Sequence, residues 1–398
     1  MAGNLLVGQS GGPTMVINQS LVGIVQEAKK YGEIDNIYGA LNGVVGIMEE
    51  NLIDFRKESD ATLEAVAATP SAALGSCRHK PDRKDCEKIF EVCRKYDVRY
   101  FYYIGGNDSA EAAHIVNSIA RENNYEIFVY HIPKTIDNDL RVTDHCPGYG
   151  SAARYVAMSF MGNDLDNRSL PGIKLDIVMG RHAGFLTAAS SLARFAPDAG
   201  PHLIYLPERP VSLDKISDDI KKMYDKYGRC LVAVAEGICG ESGEPIMKDY
   251  AQEVDSHGNI QLSGTGALGD FLVDQIKQRL GKGYRVRTDT LGYNQRCFPG
   301  VYSEVDAREA RMVGQAGVQY AMKGKIAGSV AIKRTGEGEQ YNSECFFTEL
   351  ENVAKVTKPM PEEFIATEGN DVTSAFLDYA KPLVGKLPVP KLLKKFQV

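Results

Sequence analysis

Several patterns that define large protein classes are missing from this 398-residue sequence. No apolar run approaches the roughly 20 residues of a membrane-spanning helix, and the first residues lack the basic and apolar regions of a signal peptide. The eight cysteines include no Cys-x-x-Cys pair and the seven histidines no His-Glu-x-x-His, so a zinc site is not expected. These absences predict a cytoplasmic protein with reduced thiols and no membrane partner.

Acidic residues slightly outnumber basic ones. Lysine and arginine number 46 against 52 acidic residues, which gives a formal net charge of −6. This balance argues against nucleic acid as the main partner, although it leaves room for a small basic pocket. A chain of 398 residues exceeds what one hydrophobic core usually serves, so we expect two domains.

The first glycine-rich turn matches neither standard nucleotide motif. A strand at residues 5–7 leads into Gly8-Gln-Ser-Gly-Gly-Pro13, and a helix is predicted over about residues 15–30. The turn is neither Gly-x-Gly-x-x-Gly nor a Walker lysine loop, which disfavours the dinucleotide and P-loop interpretations. Strand, glycine turn and helix N-terminus in this order still form a natural anion site at Gly11 and Gly12.

Two motifs follow strongly strand-like runs. Residues 99–104 and 126–132 are rich in β-branched and aromatic side chains, as buried parallel strands are. The first leads into Gly105-Gly-Asn-Asp-Ser109, with Ser109 expected to cap the next helix. The second leads into Pro133-Lys-Thr-Ile-Asp-Asn-Asp139. Both motifs are therefore predicted at the sheet edge where ligands bind in α/β proteins.

The residue types in these motifs suit phosphoryl transfer. Asp108, Asp137 and Asp139 can hold Mg²⁺ or accept a proton. Lys134 can neutralise charge that develops on a phosphoryl group. The alternative interpretation is a glycine turn followed by a solvated acidic loop, and each motif alone leaves both interpretations open.

Further strands and cations continue the pattern. Strands are predicted at residues 173–178, 202–206 and 230–235, and a polar excursion at residues 240–264. Arg78 and Arg181 follow predicted turns or strand ends, where a guanidinium can meet an anion or lie on the surface. Arg285, Arg287 and Arg296 are close in sequence and suggest a small phosphate pocket.

The combination of motifs resembles the phosphofructokinase family, including its pyrophosphate-dependent members. The matching motifs occur in the family's order at residues 10–12, 75–78, 105–109, 133–139, 179–181, 236–237 and 291–296. The resemblance implies an α/β fold with two Rossmann-like three-layer domains and mainly parallel sheets. Residues 1–147 with about 297–340 would bind the phosphoryl donor, and residues 148–296 with about 341–398 the sugar phosphate.

The resemblance also implies roles for individual residues. Asp137 would be the general base, assisted by Lys134 and Asp108. The diphosphate would contact Gly11, Gly12 and Arg78, and Mg²⁺ would be held at Asn107 and Asp108. The sugar phosphate would contact Thr135, Ile136, Asp137, Met179, Gly180, Arg181, Glu236, Arg287, Tyr293 and Arg296. An arginine that a neighbouring subunit supplies in the family aligns with Gly172, so Lys174 and Arg168 are candidate substitutes.

Two positions bear on the donor. ATP-using members have glycine where this chain has Asp108 and Lys134, which predicts reversible, glycolytic phosphate transfer from pyrophosphate to fructose 6-phosphate. Asp108 adds bulk and negative charge in the nucleotide's path, while Lys134 adds a cation. The alternatives are an ATP-dependent kinase and a non-catalytic regulatory subunit that binds sugar phosphate. A homodimer or homotetramer is expected.

Overall fold

The computed structural model describes residues 1–248, 266–354 and 356–394. Within these ranges the contacts divide the chain into two compact units. The first unit comprises Met1–Ala152 and Tyr293–Met360, and the second the described parts of Ala153–Ala251, Gln261–Gly292 and Pro361–Val398. Among the described residues, no helix combines the length and the apolarity that crossing a membrane requires.

Strands and helices alternate along much of the chain. The strands are β1 Gly3–Gln9, β2 Ile34–Ala40, β3 Leu52–Asp54, β4 Val98–Gly105, β5 Phe128–Pro133, β6 Ile173–Val178, β7 Leu203–Tyr205, β8 Cys230–Ala235, β9 Val286–Thr290, β10 Ala327–Arg334 and β11 Ser343–Thr348. The helices are α1 Ile17–Ala28, α2 Gly43–Met48, α3 Asp60–Ala67, α4 Arg83–Lys95, α5 Asn107–Glu122, α6 Tyr149–Ser169, α7 Phe185–Ala189, α8 Leu213–Tyr227, α9 Ala267–Leu280, α10 Asn294–Cys297, α11 Glu304–Met322 and α12 Ser374–Val384.

The first unit contains a seven-stranded sheet with apolar layers on both faces. Its order is β11-β10-β5-β4-β1-β2-β3, with five parallel central strands and an antiparallel strand at each edge. Successive side chains of a strand point to opposite faces, so Leu5 and Val7 join one core and Leu6 the other. Helices α1 and α11 contribute to the first core, and α4 and α5 to the second, which gives the expected three layers.

The second unit contains a smaller sheet in the order β7-β8-β6-β9, and all its strand pairs are parallel. Every residue of β6 and β8 is buried. A strand buried on both faces reads as a continuous apolar run, as β8 does, and both strands have the bounds that the sequence predicted although β6 contains Lys174 and Asp176. The α/β class with mainly parallel sheets is confirmed.

The structure differs from the sequence prediction in two respects. Helix α5 begins at Asn107 after Gly106, and Ser109 lies inside its first turn, where its Oγ is 2.5 Å from the Oγ of Ser10. Residues 341–354 were expected in the second domain, but β11 pairs with β10 in the first sheet, and residues 293–296 also belong to the first unit. Of the predicted polar excursion at 240–264, the part after residue 248 lies outside the described residues.

Candidate functional site

Three parallel strands of the first unit end side by side. Gln9 of β1 pairs with Ile104 of β4, and Gly105 of β4 pairs with Pro133 of β5. The residues that follow therefore meet at one edge, where the Lys134 amide donates to the Gly105 carbonyl at 2.9 Å. Both glycine motifs and the aspartate motif are brought together, as the sequence predicted.

A buried histidine, which sequence reasoning missed, supports this edge. Burial lowers the pKa of His131 to about 4, so its imidazole is neutral at pH 7. Its Nε2 donates to the Gly105 carbonyl at 2.8 Å, and its Nδ1 accepts from the Ser329 hydroxyl at 2.8 Å. His131 thereby helps to fix the backbone of the glycine motif. In the sequence, the position of His131 near the end of a predicted strand was the one indication that it could support the site.

Lys134 and Arg296 lie directly on the first glycine turn. The Lys134 Nζ donates to the Gly12 carbonyl at 2.8 Å. A β-carbon added to Gly11, whose φ is +71°, would lie 3.1 Å from this Nζ, and one added to Gly12 would lie 3.1 Å from the Arg296 Nε. A side chain at either position would crowd one of these two cations, and at Gly11 it would also be strained by the positive φ.

The loop that carries Arg78 is tied to the same turn. The Ser76 hydroxyl donates to the Gly11 carbonyl at 2.6 Å, and the Gly11 amide donates to the Cys77 carbonyl at 3.3 Å. Arg78 follows directly and is exposed. The predicted diphosphate residues Gly11, Gly12 and Arg78 are thus close together in the first unit.

The electrostatic environment of Lys134 indicates an anion site. Burial lowers the pKa of Lys134, and the charges of Arg296 and Arg78 lower it further against the opposing charges of Asp137 and Asp139. The resulting pKa is about 7. Since several cations converge at the glycine turn, a polyvalent anion bound here would favour the charged form of Lys134.

The aspartate motif forms an internally bonded loop. The Asp137 amide donates to the Thr135 hydroxyl at 3.1 Å, and that hydroxyl donates to Asp139 at 3.2 Å. Burial and the charge of Asp137 raise the pKa of Asp139 to about 6. Asp137 is half-buried, whereas the Ile136 side chain is buried in the protein. Ile136 can therefore offer a ligand little more than its backbone.

Asp108 has a partner that the sequence did not reveal. Its Oδ1 lies 2.9 Å from the Nζ of Lys80, which is also 3.2 Å from Oε2 of Glu111. Asp108 and Asn107 form the start of α5. Lys80 was missed because it lies in a charge-rich run with no motif of its own.

A magnesium ion at Asn107 and Asp108 would have few protein ligands. Within residues 1–248, 266–354 and 356–394, no group of three or more His, Cys, Asp or Glu side chains is arranged to hold a metal. Mg²⁺ in phosphoryl-transfer sites usually takes one or two carboxylates together with water and substrate phosphates. Asn107 and Asp108 suit that partial role.

The second unit brings four predicted sugar contacts together. Met179, Gly180 and Arg181 follow β6, and Glu236 follows its neighbour β8. The Arg181 Nε lies 4.0 Å from the Glu236 Oε1. A β-carbon on Gly237 would lie 2.0 Å from the Arg181 carbonyl oxygen, so this glycine permits the close approach. A cation and a carboxylate side by side suit a ligand with both hydroxyl and anionic groups.

Arg287 lies at the other end of this sheet. It pairs with Lys174 near the start of β6, four residues and thus about 13 Å before Val178 at the end of β6. Its Nη2 is 3.5 Å from Asp166, and it lines a cavity of about 600 Å³. The structure therefore does not bring Arg287 together with Arg181 in the same unit.

The structure also shows the surroundings of the remaining predicted arginines and of Tyr293. Arg285 is exposed, and Arg168 is engaged by Asp164 and Asp198. Lys174, the other candidate substitute, is 2.7 Å from Asp289. Arg296 belongs to the first unit, and its guanidinium lies 4.7 Å from the centroid of the half-exposed Tyr293 ring. Arg287 and Arg296 are thus parts of different units.

Comparison with known proteins identifies the family. A family model described as phosphofructokinase matches residues 4–321. A pyrophosphate–fructose 6-phosphate 1-phosphotransferase from Rhodospirillum rubrum is 54% identical over 96% of this chain and 95% of that protein. One of the same name from Xanthomonas campestris pv. campestris is 40% identical over 97% of this chain and 93% of that protein. The crystal structure of a pyrophosphate-dependent phosphofructokinase from Marinobacter aquaeolei is 34% identical, with a TM-score of 0.86 over 98% of this chain and 94% of that one. The expected fold is confirmed, and the chain belongs to the phosphofructokinase family.

Proposed function

We propose that this protein is a diphosphate–fructose-6-phosphate 1-phosphotransferase of glycolysis. It moves phosphate reversibly from pyrophosphate to the C1 hydroxyl of fructose 6-phosphate and yields fructose 1,6-bisphosphate and phosphate. The observation that carries the proposal is the buried Lys134, whose Nζ lies on the Gly11–Gly12 turn. ATP-using family members have glycine at the position of Lys134. The relatives that carry the pyrophosphate-dependent name support it.

The proposed reaction assigns a step to each group of the first unit. Pyrophosphate binds at Gly11, Gly12 and Arg78, with Lys134 beside it. Asp137 removes the proton from the C1 hydroxyl, whose oxygen bonds to the nearer phosphorus while the bridging P–O bond breaks. Lys134 stabilises the charge that develops on the departing phosphate.

Magnesium is part of the proposal as a bound ion at Asn107 and Asp108. It would reduce the charge on the phosphate oxygens, as it does in phosphoryl-transfer sites generally. With two protein positions of this kind, most of its remaining ligands would be water and the pyrophosphate itself. Removal of Mg²⁺ with a chelator should therefore abolish turnover and weaken pyrophosphate binding.

Sugar-phosphate binding is proposed at the residues that the family resemblance implies. Met179, Gly180, Arg181 and Glu236 would contact the sugar, with Thr135 and the Ile136 backbone beside the C1 end. Arg287, Tyr293 and Arg296 would hold the 6-phosphate. Since Arg287 and Arg181 lie at opposite ends of one sheet, we infer that the Arg287 that meets this ligand comes from a second copy. This geometry supports a homodimer or homotetramer, and a cytoplasmic location completes the proposal.

Complementation in mixed oligomers tests whether Arg287 acts on a ligand bound to a neighbouring copy. Neither Asp137→Asn nor Arg287→Ala alone should have appreciable activity. If Arg287 acts on a neighbouring copy, a mixture of the two variants, unfolded and refolded together, contains sites with both residues intact and regains activity. If it acts within its own chain, every site retains one defect and no activity returns, which would contradict the arrangement.

A donor assay tests the function itself. We expect turnover with pyrophosphate, fructose 6-phosphate and Mg²⁺, and at least about tenfold lower kcat/KM with ATP. A preference for ATP would refute the donor assignment. Fructose 6-phosphate binding without turnover from either donor would instead indicate a regulatory subunit.

A further inference from the structure

Helix α5 begins beside the proposed diphosphate site. The hydroxyls of Ser10 and Ser109 are 2.5 Å apart, so the first turn of α5 packs against the turn that carries Gly11 and Gly12. The N-terminal end of a helix is the positive end of its dipole, which attracts phosphate. This first turn is therefore an electrostatically useful neighbour for pyrophosphate.

Two carboxylates oppose that use. Asp108 and Glu111 are both in the first turns of α5, and the Asp108 side chain is 45% exposed. A carboxylate near the site repels a polyvalent phosphate through the same solvent-screened Coulomb interaction that attracts the cations. The Mg²⁺ proposed at Asp108 would offset part of this charge, and an enzyme that binds pyrophosphate here needs a further cation to offset the rest.

Lys80 is placed to do so. Its ammonium group lies between the two carboxylates, 2.9 Å from Asp108 and 3.2 Å from Glu111. It is two residues from Arg78, on the loop that Ser76 ties to Gly11.

We propose that Lys80 is a further determinant of pyrophosphate affinity, which offsets one of the two negative charges of Asp108 and Glu111 and so weakens the repulsion between the start of α5 and the donor. The inference rests on the proposed function, because it assigns the ligand of the same site. It also explains how Asp108 can occupy a position near phosphate: its bulk remains while part of its charge is offset. Lys80 thus acts on the donor through the two carboxylates and has no assigned step in the reaction.

The first test is the variant Lys80→Met, which keeps most of the length of the unbranched side chain and removes its charge. We expect KM for pyrophosphate to rise at least about fivefold, with little change in kcat or in KM for fructose 6-phosphate. Lys80→Arg should restore most of the affinity. Lys84→Met is the matched control, since Lys84 is an exposed lysine on the first turn of α4, and it should leave all three constants unchanged.

The second test separates neutralisation from direct contact. Glu111→Gln removes one of the carboxylates that Lys80 compensates. In the double variant with Lys80→Met and Glu111→Gln, KM for pyrophosphate should return to within about threefold of wild type. An unchanged KM in Lys80→Met would overturn the proposal, as would a double variant no better than the single one.

Calorimetric titration with pyrophosphate repeats both comparisons without turnover. The wild-type donor assay decides the proposed function on its own, since a wild-type enzyme that does not use pyrophosphate refutes that function. The variants then decide the inference, because Lys80 can be dispensable in an enzyme that does use pyrophosphate. Melting temperatures equal to wild type would show that the change in affinity does not come from unfolding.

Discussion

Asp137 is the residue on which the proposed chemistry depends most. Its amide is held by the Thr135 hydroxyl, so the position of the carboxylate is set by the loop. Asp137→Asn preserves the shape and removes the basicity, and we expect kcat to fall at least about a hundredfold, the usual scale for loss of a general base. Asp35→Asn, at an exposed position on β2, is the control. Near-normal turnover in a folded Asp137→Asn variant would contradict the assignment.

Lys134 makes pyrophosphate binding dependent on pH. Its pKa of about 7 in the free protein means that the ammonium form is lost as the pH rises through this value. A bound anion favours the ammonium form, so affinity for pyrophosphate should fall above about pH 7. The measurement is the dissociation constant from pH 6 to 9 in wild type and in Lys134→Met. Pyrophosphate's own titration is common to both, so identical profiles would exclude Lys134 as the source.

At the scale of elements, the helix pair α1–α11 depends on glycines. A β-carbon on Gly23 would lie 2.4 Å from the Arg311 carbonyl oxygen, and one on Gly314 would lie 2.2 Å from that of Ser20. The atoms in the way are backbone, so relief requires the helices to separate. Gly23→Ala should lower the free energy of unfolding by about 1–3 kcal/mol, the usual cost of overpacking.

Gly162, unlike Gly23 and Gly314, has room for a side chain. It lies within α6, and a β-carbon there would meet no atom within 4 Å. Gly162→Ala should therefore raise the free energy of unfolding by about 0.5–1 kcal/mol, because alanine restricts the unfolded chain and favours helix. Chemical denaturation followed by circular dichroism compares the variants, since the chain has no tryptophan. Equal effects of the two substitutions would refute the packing argument.

The sequence was informative where a pattern is local. The strands predicted at residues 99–104 and 126–132 are observed at Val98–Gly105 and Phe128–Pro133, because their apolar runs are buried, and neighbouring parallel strands end at one edge. The meeting of Gly12, Lys134 and Asp137 follows from that rule. Ser109 was misplaced because Gly106 precedes the helix and Ser109 bonds to Ser10, a contact between residues 99 positions apart.

Longer-range features left no local signal. Lys80 reaches Asp108 and Glu111 only after α5 packs beside its loop. Arg287 was grouped with Arg296 by their closeness in sequence, yet they belong to different units because the chain passes from one to the other at Gly292 and Tyr293. Charge composition cannot indicate either relationship, since both depend on how distant segments pair.

At the scale of the molecule, the first unit is closed by a segment from late in the chain. Residues 293–354 supply α11, β10 and β11 to a sheet whose other strands lie before residue 134. His145 joins the two segments, with its Nε2 2.6 Å from Glu309 and its Nδ1 2.8 Å from Asp144. Glu309 also accepts from the hydroxyls of Tyr341 and Ser343, each at 2.6 Å. A buried imidazolium between two carboxylates therefore holds the sheet's late strands to the loop beyond Asp137.

This network gives stability a defined dependence on pH. Burial alone would lower the pKa of His145, but hydrogen bonds to Asp144 and Glu309 outweigh it and raise the pKa from 6.5 to about 9. A raised pKa in the folded state stabilises the protein fully below about pH 6.5, and the contribution is lost as the pH rises through 9. The same bonds lower the pKa values of Asp144 and Glu309, so their contribution is lost in acid, as the pH falls below the ordinary values of 3.8 and 4.5.

The expected result is a stability difference that depends on pH between wild type and His145→Gln. At pH 6, wild type should be more stable by on the order of 3 kcal/mol, the free energy that corresponds to a shift of this size. By pH 10 the difference should have shrunk substantially, because the imidazole is then neutral in both the folded and the unfolded protein. Denaturant unfolding at pH 6, 8 and 10 measures it. A gap that stays constant over this range would mean that His145 stabilises the unit through packing and neutral hydrogen bonds, and that the imidazolium is not what joins the late strands to the early ones.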